Sequence, residues 1–148
     1  MHNKTLKITK VCILVFSIML FLSSLTKPAF YIDRKDYDAW SNSLILLGFG
    51  WSGALAGGAA IAWFANPLIF LSWVVLFKNI KMSVIASIIA TALAISFLFF
   101  DKVITSEEPS YSKITAYKAG YWLWLSSIML FTITTAIISF FDKNPTDA

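Results

Sequence analysis

The residues that could do chemistry are few and scattered. His2, the single histidine, stands near the N-terminus with no neighbouring Cys, Asp or Glu to join it as metal ligand or catalytic partner. Cys12, the single cysteine, opens an apolar run. It admits no internal disulfide and reads as a small packing residue, with acylation near a membrane surface as the alternative. Asp33, Asp36 and Asp38 could offer oxygen ligands to a cation. Arg34 and Lys35 stand between them, so a solvated loop is the better reading. Glu107 and Glu108 are adjacent, and adjacent side chains do not face each other on a helix. No phosphate-cradling glycine loop is present. The expectation is a non-enzyme with no catalytic residue, no metal ligand and no cofactor.

The other polar candidates are hydroxyls. Ser126, Ser127, Thr132, Thr134, Thr135 and Ser139 share the last apolar run and could line a pore. Hydroxyls in apolar helices more often bond back to a carbonyl of their own helix. Proton-coupled transport or voltage sensing needs an ionisable group inside a span. None lies inside an apolar run here, and Asp101 and Lys102 stand at the end of one.

What must position these residues is a set of apolar segments. The 148 residues, enough for one domain, are 58% hydrophobic and 14% charged. A soluble domain averages about 45–50% apolar and about 25% charged. A bilayer accepts the apolar surface that water would not, so the chain reads as an integral membrane protein. Its net charge of +4 comes from lysines beside apolar runs, where they set orientation and meet anionic head groups. No basic stripe interleaves with aromatics, which argues against nucleic acid.

Lys4, Lys7 and Lys10 precede an apolar run over 11–26. That order resembles a signal peptide, but the exit through Thr26-Lys27-Pro28 lacks a small-x-small site and no Cys follows it. An uncleaved helix is expected. A polar connector over 27–43 follows, with Tyr31, Tyr37 and Trp40 suited to the membrane interface. Residues 82–100 are free of charge and, as helix, reach about 28 Å, close to the ~30 Å hydrocarbon thickness. The run over 119–141 begins with Tyr121, Trp122 and Trp124 and ends with Phe140 and Phe141, an aromatic belt at each end.

Residues 44–77 are also free of charge. As continuous helix they would measure about 51 Å, too long for one ~30 Å crossing and short of the ~60 Å that two require. Gly48, Gly50, Gly53, Gly57 and Gly58 weaken the helix. Asn66-Pro67 suits a helix start, with Asn66 as cap. The chain either crosses over 59–77 after a broken or re-entrant segment at 44–58, or crosses at 44–63 and turns back. The expected fold is all-α: a polytopic membrane helical bundle with spans at 11–26, 59–77, 82–100 and 119–141, plus the Gly-rich segment at 44–58.

Four crossings put Lys4, Lys7, Lys10, Lys78, Lys81 and Lys143 on one side, and Lys27, Arg34, Lys35, Lys102, Lys113 and Lys118 on the other. The totals are equal, as they are for five crossings. Density separates the models. Lys78 and Lys81 share a short turn, and the N-terminal lysines have no nearby acid. That favours four crossings with both termini cytoplasmic.

Gly53-x-x-x-Gly57, with Gly50, Ala54 and Gly58 at the same spacing one face over, lets helix backbones approach closely. A docking face is expected there, within the chain or between copies. Trp51, Trp63, Asn66 and Pro67 form the most distinctive polar and aromatic group. If Asn66 does not cap, it is free to contact a ligand, a lipid or a neighbouring helix.

The stretches GWSGALAGG, AWFANP and GYWLWLSS resemble short motifs in small multi-pass membrane proteins of bacteria that are described only as uncharacterised. The likeness covers residues 48–70 and 120–127. It implies a bacterial cytoplasmic (inner) membrane and transfers no activity, ligand or functional residue. The expected role is that of an accessory or interaction protein whose partners are the lipid bilayer and another membrane protein or itself. The rivals are an immunity or exclusion protein against a toxin or phage, and a small channel or carrier with 48–66 lining a cavity.

Overall fold

The apolar runs become helices because nothing inside them breaks the backbone ladder. Polar residues with cap chemistry set the ends of two of them. A computed structural model describes residues 2–32, 41–104 and 111–142. It is mostly helical: α1 (His2–Leu25), α2 (Ser43–Ala56), α3 (Ala65–Val75), α4 (Ile80–Ser96) and α5 (Ala119–Asp142). A 3₁₀ segment, Gly58–Phe64, leads directly into α3, and a short one, Phe97–Phe99, ends α4. Four helical stretches are long and apolar enough to cross a membrane: Lys4–Leu25, Gly58–Val75, Ile80–Phe99 and Ala119–Phe141. Helix α1 starts before the expected residue 11, because HNKTLKITK holds no breaker.

The fold is not all-α. Strands β1 (Phe30–Ile32), β2 (Lys102–Ile104) and β3 (Tyr111–Tyr117) form an antiparallel sheet in the order β1-β3-β2. Phe30 pairs with Tyr117, and Lys102 with Lys113. Residues 30–32, expected to be connector, are aromatic and β-branched (Phe-Tyr-Ile), types that favour a pleated, half-buried surface. Phe30 and Ile32 are buried. Asp33, Arg34, Lys35, Asp36, Tyr37, Asp38 and Trp40 lie outside the described residues, as do Glu107, Glu108 and Lys143 and the side chain of His2.

Helix α5 is central, with α1 on one side and α4 on the other, and α4 in turn carries α3. The seams are made of small and hydroxyl residues. On α4, Ser83, Ala86, Ser87, Ala90 and Ala94 are all buried, a small-residue stripe at helical spacing that permits close approach. Hydroxyls bond across the seams. Ser17 Oγ donates to Ser127 O (3.0 Å). Ser72 Oγ donates to Ser83 O (2.6 Å) and Ser83 Oγ to Ser72 O (2.9 Å). Thr91 and Thr132 hydroxyls meet at 2.9 Å.

The sheet answers a topological question. Because β1 and β3 pair, the chain makes an even number of passes between Ile32 and Tyr111. It runs away from the sheet through Gly58–Val75 and returns through Ile80–Phe99. Helix α2 adds no pass. It begins beside Pro28, which bridges to Asn42, and it folds back on the 3₁₀ segment, which itself touches β2. The N-terminal end of α1 and the C-terminal end of α5 therefore lie away from the sheet.

Candidate functional site

The glycine-rich stretch folds into a helical hairpin. Asn42 caps α2 by accepting from the Leu44 N–H (2.8 Å). The helix ends at Gly57 (φ 86°) and Gly58 (φ 66°), a left-handed pair that a side chain would strain. The 3₁₀ segment then runs back along α2. A Cβ on Gly50 would lie 2.5 Å from Trp63 Cδ1, and one on Gly53 would lie 3.3 Å from Ala60 Cβ. Trp63 Nε1 donates to Leu47 O (3.0 Å). Gly50 and Gly53 thus meet the chain's own 3₁₀ segment, Ala54 is buried, and Gly57 and Gly58 have no atom within 4 Å of a built Cβ and serve the turn.

Where this hairpin meets the sheet end of the bundle there is a cavity of about 120 Å³. Phe21 and Leu25 of α1, Leu46 and Leu47 of α2, Ala59, Ala62 and Trp63 of the 3₁₀ segment, Phe97, and Tyr121 and Trp124 of α5 line it. Its polar lining is small, and nearly all of it is engaged. Ser24 Oγ donates to Phe21 O (2.6 Å), Ser43 Oγ to Lys27 O (2.7 Å) and Tyr121 Oη to Ala94 O (2.9 Å). Among the described residues, no Asp, Glu, Lys, Arg or His lines it.

Asn66 is the remaining polar group, and it does not cap. Helix α3 begins at Ala65 with Phe64 at the cap position and no side-chain cap bond. The 3₁₀ segment continues straight into α3, so residue 66 sits inside helical backbone, where its side chain cannot reach back to a free N–H. Pro67 lies in the first turn, where its missing N–H costs little. Asn66 is 6% exposed, and its Oδ1 accepts from Trp124 Nε1 at 2.9 Å. An indole N–H only donates, so the amide oxygen must face it.

The distinctive group is therefore divided. Trp63 and Asn66 line the cavity, whereas Trp51 is 51% exposed on the outside of α2. Trp124 and Tyr121, expected as interface rings, turn inward, and Tyr121 is buried. Tyr121 stacks with Phe97 (ring centroids 5.5 Å apart) and Tyr117 (5.1 Å) beneath the sheet. Burial first, and then the Asp101 carboxylate, raise the Tyr117 phenol above its ordinary range, so it stays a donor towards Phe97 O (3.3 Å).

The arrangement can hold an uncharged apolar guest. Among the described residues no group of His, Cys, Asp and Glu is placed to hold a metal ion. No known protein family, curated protein or solved structure matches the chain.

Proposed function

We propose that the chain is a non-enzymatic accessory or interaction protein of a bacterial cytoplasmic membrane, acting through its intramembrane surfaces. Helix α2 carries this reading. It spans about 21 Å, too short to cross the ~30 Å core. Its inner face is spent on the 3₁₀ segment, while Leu44, Phe49 (63% exposed) and Trp51 are turned outward. An exposed apolar face with large rings at one end of a bundle suits the docking of a partner helix. Lys4, Lys7, Lys10, Lys78 and Lys81 stand at the end away from the sheet, which supports cytoplasmic termini and a sheet on the opposite side.

The hydroxyl geometry weighs against a pore through α5. Ser127, Thr134 and Thr135 each donate to a carbonyl of their own helix, and the single Thr132 hydroxyl proton lies between Ile128 O of its own helix and Ser87 O of α4. The cavity is the observation that favours a carrier as second reading. Flux of a small neutral solute into proteoliposomes supports that reading, and sealed liposomes count against it.

The test of the main reading is mild cross-linking in native membranes, purification through a C-terminal tag, and mass spectrometry. A second membrane protein recovered in fixed ratio, and lost in Phe49→Ala/Trp51→Ala while the bundle keeps its thermal stability, supports it. Recovery of the chain alone, or of a partner indifferent to that variant, overturns it.

A further inference from the structure

We infer that the cavity beneath the hairpin binds a neutral component of the bilayer that carries a carbonyl oxygen on an apolar body, with the Asn66 side-chain amide as the group that recognises that oxygen. Asn66 is nine-tenths buried and lines the cavity. Its oxygen is held by Trp124, so it has two amide N–H donors left. Among the described residues, none accepts from them.

Every other polar side chain of the described wall already has its donor engaged. Trp63 donates to Leu47, Tyr121 to Ala94, Ser24 to Phe21 and Ser43 to Lys27. What the wall offers a guest is thus two N–H groups amid aliphatic and aromatic surface. Among the described residues the sealed polar atoms without a partner are on Ser41 and Trp73, not on Asn66, so the Asn66 N–H groups are open to the cavity and gain a hydrogen bond from a guest that supplies an acceptor. Among the described residues the wall carries no charge, so they have nothing to stabilise a phosphate or a carboxylate. A carbonyl satisfies it, because that group accepts and has no proton that would need a second acceptor.

The size fits. An apolar cavity of roughly 150 Å³ takes up one benzene ring, and this one measures about 120 Å³. It accommodates one six-membered ring or a short piece of chain, not a whole lipid. The rest of the guest must leave toward the bilayer. Two bilayer components share the chemistry: the head of an isoprenoid quinone, and the ester carbonyl of an acyl lipid.

The test uses acetophenone and ethylbenzene, molecules of nearly one shape that differ by a carbonyl oxygen. The full chain is reconstituted in nanodiscs of diether phosphatidylcholine, a lipid without ester carbonyls, and the side-chain amide resonance of Asn66 is followed. Acetophenone is expected to shift that resonance and to bind about fivefold more tightly than ethylbenzene, the factor for a neutral hydrogen bond of about 1 kcal/mol. Asn66→Leu is expected to abolish the preference while ethylbenzene still binds. The wild-type resonance decides the matter if that variant does not fold. Equal affinities, or no shift with acetophenone, overturn the inference.

Repeating the titration in diester phosphatidylcholine, and in diether lipid containing ubiquinone, separates the two sources. Weaker acetophenone binding in the first points to an acyl ester, and in the second to a quinone. Unchanged binding in both overturns the assignment to a bilayer component.

Discussion

Gly120→Ala is the substitution whose effect can be worked out most fully from the structure. Gly120 opens α5 at the point where the sheet end, the connector after α1 and the start of α2 converge. A Cβ there would lie 2.5 Å from Ser43 Oγ, 2.6 Å from Lys27 O and 2.6 Å from Pro28 O. A hydroxyl can rotate away, but the two carbonyls are backbone. Lys27 O accepts from Ser43 Oγ, and Pro28 O from the Gly120 N–H at 2.9 Å. Relief therefore requires the connector to move, which puts those bonds at risk. Overpacking costs about 1–3 kcal/mol and a lost hydrogen bond about 1 kcal/mol more. The expected loss is about 2–4 kcal/mol, a large part of the ~5–15 kcal/mol that holds a domain together.

Gly48→Ala is the control. No atom lies within 4 Å of a Cβ at Gly48, which is inside α2, so helix propensity predicts a gain of up to about 1 kcal/mol. Unfolding in mixed micelles with rising dodecyl sulfate, followed by tryptophan fluorescence, reads both. Gly120→Ala as stable as wild type, or Gly48→Ala as harmful as Gly120→Ala, would refute the reasoning.

Further substitutions read separate contacts in the same assay. Thr132→Val removes bonds to Thr91 and Ser87 on α4, whereas Thr134→Val removes only a bond within α5. The first should cost about 0.6 kcal/mol or somewhat more, and the second close to nothing. Among the described residues the buried Ser41 hydroxyl has no partner, so Ser41→Ala should leave stability unchanged or raise it by up to about 1 kcal/mol. Asn66→Leu strands the Trp124 indole N–H and should cost about 1–3 kcal/mol. Adding Trp124→Phe should recover part of that loss, and a strictly additive double variant would show that the pair does not interact.

Three of the four long helices were legible because each contains a charge-free run near the length of a bilayer crossing, a signal that needs no partner elsewhere in the chain, whereas Gly58–Val75 lies inside the longer uncharged stretch 44–77, which admitted two readings. The sheet was not. Its outer strands, β1 and β2, are only 3 residues each, and β1 finds β3 across most of the sequence. The local hints are the aromatic and β-branched types in Phe30–Ile32 and Tyr111–Tyr117. The Gly-rich stretch showed that the helix must break, but the direction of the chain after Gly58 depends on Trp63 closing over Gly50. Asn66 looked like a cap because Asn-Pro often starts a helix. The caps that form are Asn42 and Asn79, each followed directly by an uninterrupted helix. The Asn66–Trp124 bond joins residues 58 apart, which no local pattern encodes. The Ser and Ala stripe of α4 was visible as composition, but which face it took depended on α3 and α5.

The central claim is that the sheet gathers one end of the bundle, so that its strands share a side of the membrane and the Gly-rich hairpin does not cross. Single cysteines in a Cys12→Ala background test it with a membrane-impermeant maleimide on sealed vesicles of each orientation. Lys27, Lys102, Lys4 and Lys78 are exposed and suit the substitution. Cysteines at 27 and 102 should label from one side, and those at 4 and 78 from the other. Labelling of 27 and 102 from opposite sides would mean an odd number of crossings between them and would contradict the account.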